Sequence, residues 1–407
     1  MDGIWNNKYA RGTNLVTSSI IRDLLHLTQR PAVISFGGGL PAPECFPIAA
    51  IQAATNEVFA EQPLAALQYG PTEGFMPLRA FVAEHMAALG AGISGEQVLI
   101  TSGSQQALDL LGRLMIDAGA PILVEDPTYL GALQAWRPHA PQFITVPVDE
   151  QGVQVDALER ILQSGVHPRF FYIMSSFQNP MGVSLADERR HALIALAARY
   201  RLPIIEDDPY GELYYDGNRP TPLAAIDMQM HGELRHVAYL SSFSKLLSPG
   251  MRVGWIAASP SLLAKVAQLK QGIDLHTSSL SQSVVYTACR DGLLAAHVPN
   301  IRQIYRERRD TMLNALHRTM PRTVRWTHPH GGMFIWVTLP RYFDATALLQ
   351  TALEYDVAYV PGTCFYANGG GSNSLRLNFS MPTVAQIEEG IARLGTMLHT
   401  LAHEKAA

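Results

Sequence analysis

Between residues 98 and 257 the chain repeats one pattern: a short apolar run closed by turn residues, then a segment whose apolar residues return every three or four positions. Short continuous apolar runs fit strands buried on both faces, and the three-to-four spacing fits helices packed against them. Strands are expected at 98–100, 122–124, 143–148, 170–174, 203–206, 237–240 and 253–257. Helices are expected at 155–163 and 187–201, and a third is carried by Leu108, Leu111, Leu114 and Met115. This alternation predicts an α/β protein, a mostly parallel sheet covered by helices, with ligands beyond the carboxyl ends of the strands. After about residue 290 the texture changes to a charged helix around 301–309 and short runs at 333–339, 357–360 and 375–379, which predicts a smaller α+β domain. The opening residues, with one amphipathic stretch at 20–27, read as an arm. The expected organisation is 1–45 as arm and part of the small domain, 46–290 as large domain and 291–407 as small domain.

Composition narrows the function. With 47% hydrophobic and 16% charged residues in 407, the chain can bury a sizeable core without disulfides or metal. The net charge of −4 offers no positive field for nucleic acid or acidic lipid, so neither is an expected partner. No run approaches the ~18 apolar residues of a membrane span. Cys45, Cys289 and Cys364 are too scattered for a disulfide framework or a CxxC pair, which predicts a reducing, cytoplasmic setting. The sequence has no GxxxxGK[ST], strand-borne GxGxxG, HExxH or GxSxG. His328 and His330, without a carboxylate or cysteine cluster, read as a polar loop, and no metal site is expected. Gly369 to Gly371 with Ser372, Asn373 and Ser374 read as a surface turn.

Residues at the strand ends carry the chemistry. Ser241–Ser242–Phe243–Ser244–Lys245 follows the strand at 237–240, with Arg252 seven positions beyond the lysine. Either Lys245 is a surface lysine among turn serines, or its amine forms a Schiff base with an aldehyde cofactor whose anionic group the hydroxyls and Arg252 hold. Thr101–Ser102–Gly103–Ser104–Gln105 opens a helix whose free amides could cradle an anion, or Ser104 simply caps that helix. Tyr129 presents an aromatic face at a strand end, for packing or for a ligand. Asn179 offers an amide at a turn. Asp207, Asp208 and Tyr210 bring carboxylates and a phenol to another strand end, where a buried carboxylate needs a cationic partner.

Nine motifs occur in order: GGGLPAPECFP (37–47), LQYGPTEG (67–74), TSGSQQA (101–107), DPTY (126–129), FQNPMG (177–182), EDDPYGEL (206–213), SSFSKLLSPGMRVGW (241–255), GGMFIW (331–336) and LRLNFS (375–380). Together, from about residue 20 to 398, they resemble the fold-type I pyridoxal-phosphate enzymes, class I/II aminotransferases. Within these they resemble the 2-aminoadipate and kynurenine aminotransferases and the aminotransferase-like domain of MocR-type regulators. The resemblance implies the PLP-dependent transferase fold and pyridoxal 5′-phosphate as cofactor, bound to Lys245. It implies Asp207 at the pyridine nitrogen, Asn179 and Tyr210 at the ring hydroxyl, and Tyr129 stacked on the ring. Ser104, Gln105, Ser242, Ser244 and Arg252 would hold the phosphate, with Tyr69 reaching the phosphate of a second subunit in a homodimer. Arg376 would grip the substrate carboxylate, with Gly39, Asn179 and Phe334 lining the substrate site and Arg22 meeting a side-chain carboxylate. The reaction implied is transfer of an amino group from an L-amino acid of 2-aminoadipate, aromatic or long aliphatic type to a 2-oxo acid such as 2-oxoglutarate. A sensor domain of a MocR-type regulator is disfavoured, because the arm begins within about 20 residues and leaves no room for a DNA-binding domain. A PLP lyase or decarboxylase would share the same cofactor residues.

Overall fold

The computed structural model describes residues 3–5, 8–16 and 32–406. Fourteen strands occur among them. In chain order they are β1 (Ile34–Ser35), β2 (Val98–Thr101), β3 (Pro121–Asp126), β4 (Gln142–Asp149), β5 (Gly152–Val153), β6 (Phe171–Ile173), β7 (Ile204–Asp207), β8 (Val237–Ser242), β9 (Gly254–Ala257), β10 (Arg325–Trp326), β11 (Phe334–Thr338), β12 (Val357–Ala358), β13 (Val360–Pro361) and β14 (Ser374–Asn378). Eight of them form one sheet in the order β2-β9-β8-β7-β6-β3-β4-β5. Its centre, from β8 through β7, β6 and β3 to β4, is parallel, whereas β9 runs antiparallel to both β2 and β8. Only residues 243–253 separate β8 from β9, too few for a crossover helix, so the chain turns back on itself instead.

Strand alternation divides the core in two. Leu99, Ile122, Tyr172, Ile205, Leu240 and Ile256 belong to one buried cluster. Their neighbours Val98, Leu123, Phe171, Ile204, Tyr239 and Trp255 belong to the other. The helices Ser104–Met115, Val155–Gln163, Asp187–Tyr200 and Leu223–His231 connect successive strands. The helix Val155–Gln163 has the predicted bounds, and Asp187–Tyr200 ends one residue early at Arg201, which turns into the left-handed region at φ 52°.

A second sheet, ordered β10-β11-β14-β13, lies in the C-terminal part, and β1 pairs with β12 in a two-stranded ribbon. The run expected as one strand at 357–360 is therefore two, given to different sheets. The charged helix expected around 301–309 extends over Leu293–Thr319, with Pro299 inside it. Gly369, Gly370 and Gly371 all have positive φ, as a surface turn requires. No helix is long and apolar enough to cross a membrane among the described residues. The amphipathic stretch at 20–27, including Arg22, lies outside the described residues.

Candidate active site

The predicted residues converge where β2, β3, β6, β7 and β8 end, and the second sheet adds β11 and β14. Two glycines create room for the turn after β2. Gly103, at φ 80°, starts the helix Ser104–Met115, and a Cβ there would lie 2.5 Å from the Arg252 guanidinium. Gly254 passes so close that a Cβ would lie 2.8 Å from Gly103 C and Ser104 N. Arg252 itself is left-handed at φ 53°, a conformation that costs a non-glycine residue energy, and its Nη2 donates to Ser102 O at 3.1 Å. The Ser242 hydroxyl donates to Ser244 Oγ at 2.8 Å and accepts from Ser244 N at 3.0 Å. Gln105 Nε2 donates to Gly131 O at 2.8 Å, tying this turn to the residues below Tyr129. A Cβ on Gly131 would collide with the Tyr129 ring at 2.4 Å, so glycine is what lets that ring pack against the helix start. Serine hydroxyls, a guanidinium and a helix N-terminus thus gather in one place, a donor set suited to a phosphate.

Lys245 Nζ donates to Gly39 O at 2.8 Å, and among the described residues the amine has no carboxylate partner. Desolvation, with the charges of Arg376 and Arg252 acting in the same direction, lowers its pKa to about 8. Asp207 is 1% exposed at the end of β7. Its Oδ2 accepts from the Tyr172 hydroxyl at 2.9 Å, while Oδ1, fully buried, has no partner. Burial pushes the carboxyl up to about 7, the charge of Asp208 adds to the rise and the Tyr172 hydrogen bond opposes it. A buried carboxylate oxygen without a donor is costly unless a cation or donor completes it.

Arg376, on β14, is also buried. Its Nη1 donates to Asn179 Oδ1 and its Nη2 to Gly37 O, both at 2.8 Å, while Nε has no partner. The guanidinium carbon sits 4.2 Å from the Phe334 ring centroid and 5.0 Å from that of Phe365, and Tyr210 meets Phe334 edge-on at 5.8 Å. Desolvation lowers the arginine's pKa to about 10, and burial raises the Tyr210 phenol far above its usual value. Arg376 remains a cation at neutral pH, aimed into an aromatic-walled space.

Most predicted residues are therefore brought together, with two exceptions. Tyr69 is 77% exposed and packs edge-on against His276 at 5.7 Å, and no hydrogen bond or ring contact among the described residues joins it to the Lys245 group. Arg22 is outside the described residues. The sequence reasoning missed Tyr172, which reads as an ordinary aromatic in an apolar strand. It also missed the Lys270–Asp274 pair, at 2.7 and 2.8 Å, which with Gln106 and Ser102 pins the turn after β2 from behind. Helical i,i+4 spacing was the available signal for that pair.

The buried Asp207 Oδ1, without a hydrogen-bond partner among the described residues, suits a cationic ring nitrogen, the Lys245 amine suits an aldehyde, and the donor set at Ser104, Ser242, Ser244 and Arg252 suits a phosphate, so the residues present fit pyridoxal phosphate. Comparison with known proteins agrees. The family model for aminotransferase class I and II matches residues 35–394. A 2-aminoadipate transaminase from Thermus thermophilus is 45% identical over 397 residues, covering 98% of both chains. Aromatic-amino-acid aminotransferase 1 from Thermococcus litoralis is 46% identical over 382 residues, 93% of this chain and 90% of that one. The crystal structure of an alpha-aminoadipate aminotransferase from Thermus thermophilus, complexed with N-(5′-phosphopyridoxyl)-L-leucine, superposes with TM-score 0.92 at 44% identity, covering 98% of this chain and 99% of that one. The chain belongs to the class I and II aminotransferase family and is a pyridoxal-phosphate-dependent amino-acid aminotransferase of fold type I.

Proposed function

We propose that the enzyme takes an amino group from an L-amino acid with a 2-aminoadipate, aromatic or long aliphatic side chain and passes it to a 2-oxo acid of the 2-oxoglutarate kind. The observation that carries the assignment of roles is the convergence of Lys245, Asp207 and Arg376, each buried or half-buried with a polar group that its neighbours leave uncompensated. In this reading Lys245 holds the cofactor aldehyde, Asp207 the ring nitrogen, Asn179 and Tyr210 the ring hydroxyl, and Tyr129 one ring face. Ser104, Gln105, Ser242, Ser244 and Arg252 hold the phosphate. When bound, the cofactor supplies an aldehyde for the substrate amine and a ring that accepts electron density.

The chain's own residues do the rest. Arg376 would present its planar fork to the substrate carboxylate and so fix the orientation of the alpha carbon. Gly39 and Phe334 border the space for the side chain, and the aromatic wall favours apolar or long substituents. Lys245, with a proton affinity already reduced, would act as the base that holds and moves the proton of the substrate's alpha carbon. Asp207 keeps a charge-assisted partner on the ring nitrogen throughout.

We assign 46–290 to a large domain around the eight-stranded sheet and 291–407 with the arm to a small one. A homodimer is proposed on the exposed apolar surface of Ile48, Leu64, Leu67, Tyr69, Ile273 and Leu275, which brings Tyr69 to the partner's phosphate site. The unpaired cysteines suit the cytoplasm. The test is a single-turnover panel: the pyridoxal form is mixed with glutamate, 2-aminoadipate, phenylalanine and leucine, and conversion to the pyridoxamine form is followed with release of the oxo acid. Conversion by the long and aromatic donors supports the reading. Loss of carbon dioxide without amino transfer would replace it with a decarboxylase.

A further inference from the structure

One hydrogen bond reaches the Asp207 carboxylate from outside its own strand end. Tyr172 stands on β6 beside β7, in register with Ile205, on the same sheet face as Asp207. Its hydroxyl donates to Asp207 Oδ2 at 2.9 Å and both residues are buried. The phenol has little freedom to point elsewhere. Trp136 meets its ring edge-on at 5.1 Å, and Trp136 is itself held by donation from Nε1 to Leu108 O at 2.9 Å. Gly112 leaves the room for that indole, since a Cβ there would lie 2.4 Å from Trp136 Cδ1. The nearby carboxyl of Glu125 is already engaged by Met174 N at 2.9 Å. Tyr172 therefore donates to one oxygen of Asp207, and the other is buried without a hydrogen-bond partner among the described residues.

We propose that Tyr172 is a positioning residue: it fixes Asp207 Oδ2, presents Oδ1 to the cofactor's ring nitrogen, and keeps their shared proton on the nitrogen rather than on the carboxylate. This rests on the reading that Asp207 meets that nitrogen. The physical reason is a competition. Burial makes the carboxylate a stronger base, and a basic carboxylate would take the proton and leave the ring neutral. A donor on the far oxygen stabilises the anion and weakens that pull. The other titratable groups around Asp207 are Tyr129, Tyr210 and Asp208. Burial keeps Tyr129 and Tyr210 as neutral phenols, and Asp208 raises the basicity of Asp207 and so acts against Tyr172. A hydrogen bond to a charged group shifts such a proton equilibrium by about tenfold or more.

The experiment reconstitutes wild type, Tyr172→Phe and Asp207→Ala with ring-15N-labelled pyridoxal phosphate and reads the ring-nitrogen shift at a fixed neutral pH, with amino-acid kinetics in parallel. Asp207→Ala is expected to give the unprotonated shift, and Tyr172→Phe a shift displaced from wild type toward it. The same Tyr172→Phe protein is expected to lose about tenfold in kcat with KM for the amino acid unchanged. 3-Fluorotyrosine in place of Tyr172, a more acidic donor of nearly the same size, is expected to restore the wild-type shift or move it further toward the protonated value. A wild-type shift in Tyr172→Phe overturns the proposal. A protonated nitrogen in Asp207→Ala overturns the reading beneath it, and the proposal with it.

Discussion

Where β7 ends, two adjacent carboxylates, Asp207 as its last residue and Asp208 just beyond it, stand in opposite circumstances. Asp208 accepts from Gly211 N at 2.8 Å, from Arg219 Nη2 at 3.1 Å and from the Tyr239 hydroxyl at 3.1 Å. Among the described residues, Asp207 accepts from Tyr172 alone and keeps one bare oxygen. Two lysines repeat the contrast: Lys270 is locked onto Asp274, whereas Lys245 has only a backbone carbonyl. So do two buried arginines. Arg190 donates to Leu185 O and Thr221 O at 2.8 Å and to Ser175 O at 2.6 Å, while Arg376 leaves Nε bare. Asp208, Lys270 and Arg190 are satisfied by the chain itself, whereas Asp207 Oδ1 and Arg376 Nε are left bare. Buried polar groups are ordinarily satisfied, and it is these bare groups of opposite charge, rather than the isolated indole nitrogens of Trp255 and Trp326, that mark the site.

The lysines give the largest contrast. Lys245→Ala is expected to lower turnover by about 10⁴-fold, measured by the half-reaction with a good donor, in a protein that still folds. Lys270→Met should retain most turnover but lose roughly 2 kcal/mol of stability by leaving Asp274 without its cation, read from denaturant unfolding. Comparable turnover in the two variants would break the comparison. The carboxylates come next. Asp207→Ala should cost on the order of 10²-fold or more in kcat, whereas Asp208→Ala, which takes from the Arg219 guanidinium one of its two carboxylate partners, should act through a stability loss of about 2 kcal/mol.

Much of this was legible in the residues. The α/β rhythm gave the strand ends, and the turn chemistry of 101–105 and 241–252 marked the anion cradle. Asp207 could not be told from Asp208 by alternation alone, because alternation assigns faces but not what each face meets. Tyr172 was hidden for a related reason: an aromatic in a buried strand reads as packing, and its hydroxyl's partner lies 35 positions away on another strand. The antiparallel β9 follows from loop length, which short apolar runs do not disclose on their own.

A smaller effect sharpens the comparison through pH. The folded cofactor-free protein holds Lys245 with a pKa near 8, below the 10.5 of a free lysine. Burying its charge therefore costs stability fully below about pH 8, and the cost fades as pH rises toward 10.5, where the unfolded chain also sheds the proton. Lys245→Met should make the cofactor-free protein more stable than wild type by about 1–3 kcal/mol at pH 7. The gap should close between pH 8 and 10.5, as measured by urea unfolding at several pH values. A gap that widens with pH would contradict the assignment. Smallest of all, Arg190→Lys should leave the KM for amino acids nearly untouched, while Arg376→Lys raises it by about tenfold or more.

Lys245 meets only a backbone carbonyl among the described residues, whereas Lys270 is paired with a carboxylate, so Lys245 is the amine open to an aldehyde. The direct measurement is borohydride reduction of the holoenzyme followed by peptide mapping. A phosphopyridoxyl group is expected on the peptide that contains Lys245, in about one equivalent per chain, with Lys270 unmodified. Label on Lys270, or a holoenzyme from which all cofactor washes away after reduction, would contradict it.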